Sequence, residues 1–244
     1  MSILISSALT AWAEAPCPVP DDLALRDVAL PVAKRAAAAD GRLTILALGG
    51  THGPGVEAGN PAATYPARLE AALTALLPAI QVSVVNAALV RNTAADTPPS
   101  LSELLEKTGA RLVIWGPGGR ALAFRMDVRD YQNAIASGIE AVRKAGADLI
   151  LLDTTYVPSS TRTALIEPYR ERLRNAALAN HLPLLRRHDL MLRWSKNGTL
   201  NLDAREPEEQ RRVTERLFAC VAWSLAGPIA AALADPAADV PTQR

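Results

Sequence analysis

Five short apolar segments alternate with longer amphipathic ones along the chain, and this alternation constrains the fold more than any other feature. The apolar segments span residues 43–48, 80–86, 110–116, 147–153 and 182–187. Four of the five are almost continuously apolar, which is typical of parallel strands that are covered on both faces. The pattern therefore predicts an α/β protein with three layers, α/β/α, around a doubly wound, five-stranded parallel sheet.

The segments between and after these strands have the apolar periodicity and the end signals of helices. Two of them end on a glycine, as the C-termini of helices often do. The last one contains Gly227-Pro228, where we expect a break because proline cannot donate the helical hydrogen bond. The predicted helices span residues 64–78, 99–109, 128–146, 162–180 and 206–233.

The two ends of the chain differ from its middle. Residues 3–13 are apolar and end in Ala-Trp-Ala, the pattern of a secretory signal peptide without its basic residues. We therefore expect residues 1–13 to be a signal peptide and the protein to be periplasmic or secreted; if they are not one, it is cytoplasmic. Residues 14–234 form a single predicted domain, and the polar tail 235–244 is expected to be disordered.

The chain has two cysteines, Cys17 and Cys220, which are not spaced like a redox motif. In an exported protein such a pair is usually a disulfide, which here would tie the two ends of the domain together. The alternative is two buried thiols that pack as small apolar side chains.

Composition argues against several classes of partner. The 26 basic and 25 acidic residues nearly cancel, so no overall charge attracts nucleic acid. No apolar run reaches the roughly 20 residues that a transmembrane helix needs. The three histidines (His52, His181 and His188) are not spaced with each other or with acids as metal ligands are. We expect no cofactor and no metal.

A glycine-rich turn, Gly-Gly-Thr-His-Gly-Pro-Gly from residue 49, follows the first predicted strand. It lacks the lysine of a P-loop and the G-x-G-x-x-G spacing of a dinucleotide site. It does resemble the first block of the SGNH/GDSL hydrolases, a family of ester hydrolases with a flavodoxin-like fold. The segments ILALGGTHGPG, NPAATYPARLEAAL, VSVVNAAL, ARLVIWGPGG and LILLDTTYVP follow in the order found in a secreted branch of that family.

The resemblance also implies roles for particular positions, and substituted residues stand at them. Thr51 is at the position of the nucleophilic serine. Ala88 and Arg120 are at the positions of the oxyanion-hole glycine and asparagine. Glu209 and Arg212 are at the positions of the Asp-x-x-His motif that should precede the last helix. Their side chains are expected to form an ion pair with each other. Because a guanidinium cannot accept a proton at neutral pH, Arg212 cannot act as a catalytic base.

Two functions from different classes remain open. The first is a catalytically inactive protein of the cell envelope that binds a glycan, an acyl group or a protein partner. The second is an ester hydrolase with an altered site that uses Thr51, with His52 or an unaligned residue as its base. A structural subunit of an envelope assembly is a third, minor alternative. Residues at the ends of the first and fourth strands are the expected ligand contacts: Gly50, His52, Asp153 and Tyr156.

Overall fold

The computed structural model describes residues 17–49, 61–87, 97–158 and 160–234. Its centre is a parallel sheet with the strand order β2-β1-β3-β4-β5. This order confirms the predicted doubly wound sheet. It is the flavodoxin-like arrangement, in which β2 is added on one side of β1 and the later strands are added on the other side. All five strands coincide with the predicted apolar segments: β1 Arg42–Leu48, β2 Gln81–Asn86, β3 Leu112–Trp115, β4 Asp148–Leu152 and β5 Leu184–Leu185.

The helices cover both faces of the sheet. Five of them confirm predicted helices to within a few residues, whereas α1, α4 and α7 were not predicted. A short 3₁₀ turn, Pro61–Ala63, precedes α2. The helices are α1 Pro31–Asp40, α2 Tyr65–Leu76, α3 Thr97–Thr108, α4 Gly118–Ala123, α5 Val128–Lys144, α6 Ser160–Ala179, α7 Arg187–Lys196 and α8 Pro207–Ala234.

Alternate residues of the central strands face two separate apolar cores. Ile45 of β1 and Ile114 of β3 face the core that contains α1, α2, α7 and α8. Leu46 and Trp115 face the core formed with α3, α5 and α6. Trp115 packs so closely on α5 that a Cβ at Gly138 would lie 2.2 Å from its ring. The two cores make the three layers that the sequence predicts.

The predicted break at Gly227-Pro228 is wrong, since α8 continues through Pro228. The proline removes one helical hydrogen bond. Around it, however, Leu225, Ala226 and Ile229 are fully buried in the core. Tertiary packing therefore holds this helix together past a residue that would end an isolated one.

Helix α8 is also long and apolar enough to cross a membrane by length and composition alone, but 61% of its most apolar window is buried inside the fold. It therefore serves here as a core helix. Cys220 of α8 forms a disulfide with Cys17 across 203 residues, which confirms the predicted bridge. Nearby, the Trp194 indole of α7 donates a hydrogen bond to the Pro18 carbonyl at 2.7 Å, so the start of the domain is fixed to both helices.

Helix α1 begins beside an acidic side chain at the amino-terminal ends of the strands. The Asp148 carboxylate, at the start of β4, accepts hydrogen bonds from the backbone N–H groups of Val32 at 2.9 Å and Ala33 at 2.8 Å. It therefore satisfies two of the free donors at the N-terminus of α1. Burial raises the pKa of Asp148 to about 6, although the same two hydrogen bonds act to lower it.

Candidate functional site

The candidate site is at the carboxyl ends of the strands, where the loops after β1, β3 and β4 meet. Gly49, the last described residue after β1, has a φ of +68°, and a Cβ there would lie 2.4 Å from the Gly116 carbonyl oxygen. A Cβ at Gly118 would lie 2.3 Å from the methyl carbon of Thr154. Glycine is therefore required at both points by the close approach of neighbouring loops.

Several predicted site residues lie outside the described part of the chain. The ligand positions Gly50 and His52, the nucleophile position Thr51 and the oxyanion position Ala88 belong to this group. Arg120 is placed in α4, but its side chain is not among those described.

Glu209 and Arg212 are in the first two turns of α8, on a solvent-facing part of the helix. Arg212 is exposed and pairs with Glu208 one turn earlier, at 3.4 Å, rather than with Glu209 as expected. Glu209 instead accepts a hydrogen bond from the Asn201 amide at 2.7 Å. Both residues thus make ordinary helix-surface contacts.

Two carboxylates, Asp203 and Glu206, stand directly before α8. The helix begins at Pro207, so the four residues that precede it run from Asp203 to Glu206. Their spacing is that of the Asp-x-x-His pair, with glutamate at the place of the histidine. The side chains of Asp203 and Glu206 are both exposed.

The buried charges of this edge surround Arg170, a residue of α6. Its guanidinium binds Asp153, the residue after β4, with N–O distances of 3.0 Å, and Asp189 of α7 at 2.7 Å. It also binds Glu167, one turn earlier on α6, at 2.8 Å. The Asp153 and Arg170 side chains are only 1% and 6% exposed. We call Asp153, Glu167, Arg170 and Asp189 the Arg170 cluster.

The Arg170 cluster lowers the pKa of Asp189. Burial alone would raise the pKa of Asp189, but the adjacent His188 ring and the Arg170 guanidinium hold it well below its ordinary value. The other Asp153 oxygen accepts the Thr154 backbone N–H at 2.7 Å. Both oxygens of Asp153 are therefore occupied, which indicates a structural role for a residue that the sequence suggested as a ligand contact.

His188, at the start of α7, is buried at 2% exposure. Neither of its ring nitrogens has a hydrogen-bond partner among the described residues, and Nδ1 lies 3.5 Å from the Asp189 carboxylate. Its ring packs edge-on against Tyr156, with 5.2 Å between the ring centroids. Because β1 and β5 are three strand spacings apart, the end of β5 lies about 14 Å from the end of β1, where the nucleophile position follows.

A cavity of about 310 Å³ lies beside this cluster, between the loop after β4, the start of α7 and the inner face of α8. Tyr156, a predicted ligand contact, is one of its lining residues. Arg187, 4% exposed, lines it too and donates from Nε to the Asp153 carbonyl at 2.9 Å. The apolar part of the wall includes Met191, Leu202, Val213, Leu217, Phe218 and Val221.

Sequence reasoning missed Arg170, Arg187 and Asp189. A usable signal existed for two of them, because Arg187 and Asp189 follow an apolar strand within four residues, where parallel sheets place functional side chains. Nothing comparable marks Arg170, which is in the middle of a helix rich in exposed charges.

Comparison with solved structures supports the fold. A lipolytic protein of the G-D-S-L family from Desulfitobacterium hafniense has a TM-score of 0.52 and 19% identity, over 72% of this chain and 97% of that one. The psychrotrophic esterase EstA of Pseudoalteromonas sp. has a TM-score of 0.55 and 15% identity, over 73% and 96%. A catalytic mutant of the acetylxylan esterase Axe2 of Geobacillus stearothermophilus has a TM-score of 0.53 and 15% identity, over 72% and 91%. No curated protein matches the sequence.

These likenesses define the class of protein, an α/β protein with the SGNH/GDSL hydrolase fold. Within that class, residues 16–235 match the family described as the Non-GDSL lipase-like family. Since the match covers most of the chain, this protein belongs to that family.

Proposed function

We propose that this protein has kept the hydrolase fold but does not hydrolyse esters, and that it acts in the cell envelope by binding a ligand. One observation carries the proposal: neither position considered for the catalytic histidine holds one, since Arg212 is an exposed helix residue that pairs with Glu208, and a glutamate, Glu206, stands directly before the helix. A guanidinium has no lone pair with which to take a proton, so it cannot activate a hydroxyl group.

Three other described groups near the site do not replace the histidine. Asp153 is bound to Arg170, and Glu209 accepts a hydrogen bond from Asn201. His188, in the first turn of α7, is buried and packs edge-on against Tyr156. Loss of the base in a catalytic triad typically lowers the rate by several orders of magnitude.

Two features support a location in the envelope. The Cys17–Cys220 disulfide is compatible with secretion, because such bonds persist in oxidising compartments. Residues 1–13 also have the apolar core and the Ala-Trp-Ala ending of a signal peptide. We propose that a glycan, an acyl group or a protein partner meets the protein at the carboxyl edge of its sheet.

The test is an ester hydrolysis assay on the purified mature protein. With a small activated acyl ester, the proposal expects the rate to equal that of the Thr51→Ala variant. A rate well above background in the natural protein, lost in Thr51→Ala, would overturn the proposed loss of catalysis.

An altered ester hydrolase that uses Thr51 is the second candidate function. The observation in its favour is the exposed carboxylate of Glu206 directly before α8, since a carboxylate can accept a proton. If this candidate is right, each of the single variants Glu206→Gln and Thr51→Ala abolishes hydrolysis. Glu208→Gln, two residues further on and also exposed, is the matched control and retains full activity.

Restoring the missing groups separates the two positions for the base. Two multiple variants both carry Thr51→Ser, Ala88→Gly and Arg120→Asn. The first adds Glu209→Asp and Arg212→His, and the second adds only Glu206→His beside the natural Asp203. The first variant tests the positions that the resemblance gives, and the second tests the pair directly before α8, which begins at Pro207. Activity in the second variant alone would place the catalytic pair at Asp203 and Glu206. Activity in the first variant alone would show that the catalytic pair belongs inside the helix.

A further inference from the structure

The cavity beside α8 has mainly apolar walls. Val213, Leu217 and Phe218 from α8 line it, together with Met191 from α7. The cavity is partly open to solvent, so part of a larger ligand can extend outside it. A ligand with an apolar body is favoured here, because filling the cavity removes hydrocarbon surface from water.

The charge in these walls is already engaged within the fold. Of the described residues that line the cavity, Arg187 alone is charged. Its Nε donates to the Asp153 carbonyl at 2.9 Å, and the nearby Asp153 carboxylate stabilises its positive charge. A charged ligand group would lose its hydration here without gaining an unpaired counterion, which is unfavourable. The walls therefore favour an uncharged ligand.

Two polar side chains of α8 add hydrogen-bonding groups to these walls. Thr214 and Gln210 are one helical turn apart, and both line the cavity. Thr214 is only 5% exposed, and its hydroxyl makes no hydrogen bond with any described residue. The Gln210 amide nitrogen donates to the Ala204 carbonyl at 2.9 Å, while its oxygen accepts no hydrogen bond within the described part of the chain. Since such groups are normally paired inside a protein, these two side chains offer a donor and an acceptor to a ligand.

We propose that this cavity binds a neutral amphiphile, an uncharged molecule with a hydrocarbon body and a hydroxyl group. The hydrocarbon part packs against Met191 and Phe218. The ligand hydroxyl donates to the Gln210 amide oxygen and accepts from the Thr214 hydroxyl. This inference rests on the proposed ligand-binding function and names the ligand class.

Titration of the mature protein with 1-hexanol, hexanoate and hexylammonium tests the neutral class. Amide chemical shifts of the ¹⁵N-labelled protein report both the affinity and the residues affected. We expect 1-hexanol to shift the amides of cavity residues and to bind at least about tenfold more tightly than either ion. Equal binding of hexanoate or hexylammonium would overturn the neutral class, and no shift of cavity residues with any of the three would overturn the site.

A variant that lacks one hydroxyl tests the polar contact. Thr214→Val keeps the side-chain volume and should lower the affinity for 1-hexanol about three- to tenfold. It should not lower the affinity for 1-chlorohexane, which has no hydroxyl. Ser224→Ala removes a hydroxyl that bonds to the Cys220 carbonyl on the same helix, and should leave both affinities unchanged. An equal effect of Thr214→Val on the two probes would overturn the contact, and Gln210→Met repeats the test if Thr214→Val does not fold.

A second pair of variants locates the ligand. Val213→Trp fills the cavity and should lower the affinity for 1-hexanol at least about tenfold. Leu178→Trp, on an exposed surface of α6, is the matched control and should leave it unchanged. Unchanged affinity in Val213→Trp would place the ligand elsewhere and overturn the site.

Failure of this inference is distinguishable from failure of the proposed function. Ester hydrolysis that depends on Thr51 would overturn the proposed function, while binding of 1-hexanol at the cavity would still support the ligand class. A protein with neither hydrolysis nor 1-hexanol binding would overturn the cavity assignment alone.

Discussion

Two charged regions lie near the same end of this molecule, and they differ in almost every physical respect. In the Arg170 cluster, one guanidinium joins carboxylates from two helices and from the end of β4, and its central pair is nearly inaccessible to water. At the start of α8, charges such as Glu208 and Arg212 face solvent, with side chains that are 78% and 69% exposed.

This difference shows where substitutions can accumulate in a hydrolase fold. A buried ion pair cannot lose one partner without leaving an uncompensated charge, which costs several kcal/mol. An exposed pair is worth less than about 1 kcal/mol and can change without affecting stability. The Glu208–Arg212 pair at the start of α8 is exposed, so the stability of the fold does not require these two residues.

Substitution of Arg170 is the strongest test of this contrast. In Arg170→Met the side chain keeps a similar volume, but the buried Asp153 carboxylate loses its charged partner. We expect a loss of about 3–5 kcal/mol in the free energy of unfolding, measured by urea denaturation. A loss below about 1 kcal/mol would show that the cluster is no different from a surface pair.

Removal of the disulfide tests how much the covalent attachment of α8 to the start of the domain contributes to stability. Replacement of Cys17 and Cys220 by serine opens a loop that spans most of the chain. We expect a loss of about 2–4 kcal/mol, because the bridge restricts the unfolded state. Thermal unfolding with and without a reducing agent measures it, and the double variant should no longer respond to reduction.

Acid titration probes the Arg170 cluster by a different route. Since the folded-state pKa of Asp189 is lowered, its contribution to stability is complete above its ordinary pKa of about 4 and is lost as the pH falls below that value. Asp189→Asn should therefore cost about 1.5–3 kcal/mol at pH 7. Urea unfolding midpoints should show this difference shrinking between pH 4 and pH 3, and a constant difference would exclude a lowered pKa.

Asp148, at the other edge of the sheet, should respond to pH in the opposite direction. Its folded-state pKa is raised to about 6, so its contribution is greatest below about 4 and is lost as the pH rises through 6. The asparagine side chain in Asp148→Asn keeps one acceptor for α1 and does not titrate. Urea denaturation should show it losing stability relative to the natural protein at pH 4 and recovering about 1–2 kcal/mol of that loss by pH 7.

Much of the fold could be predicted because local pattern and tertiary structure agree in it. The five apolar segments contain the five strands, and the two cysteines form the predicted disulfide. Helix α1 was missed although Pro31 begins it and Gly41 follows it, since its alanine-rich sequence has little apolar periodicity. The continuity of α8 at Pro228 was not predictable from local propensity, because packing against the core decides it.

The candidate site was less predictable because its charged residues meet only in three dimensions. Arg170 is 17 residues from Asp153 and 19 residues from Asp189 in the sequence, and the three residues come from three different parts of the fold. No periodicity connects them. Counting back from Cys220 placed the Asp-x-x-His pair at Glu209 and Arg212, and the structure shows that both residues are inside α8, after its start at Pro207.

The smallest expected effect belongs to the exposed pair at the start of α8. In Arg212→Ala, the ion pair with Glu208 is lost, but both groups remain accessible to water and alanine is the better helix former. We expect a change of less than about 0.5 kcal/mol in the free energy of unfolding, by the same urea denaturation used for Arg170→Met. A double-mutant cycle with Glu208→Ala should give a coupling energy within that limit. A coupling above about 1 kcal/mol would mean that the fold holds Arg212 in place, and that an arginine at this position reflects a structural requirement.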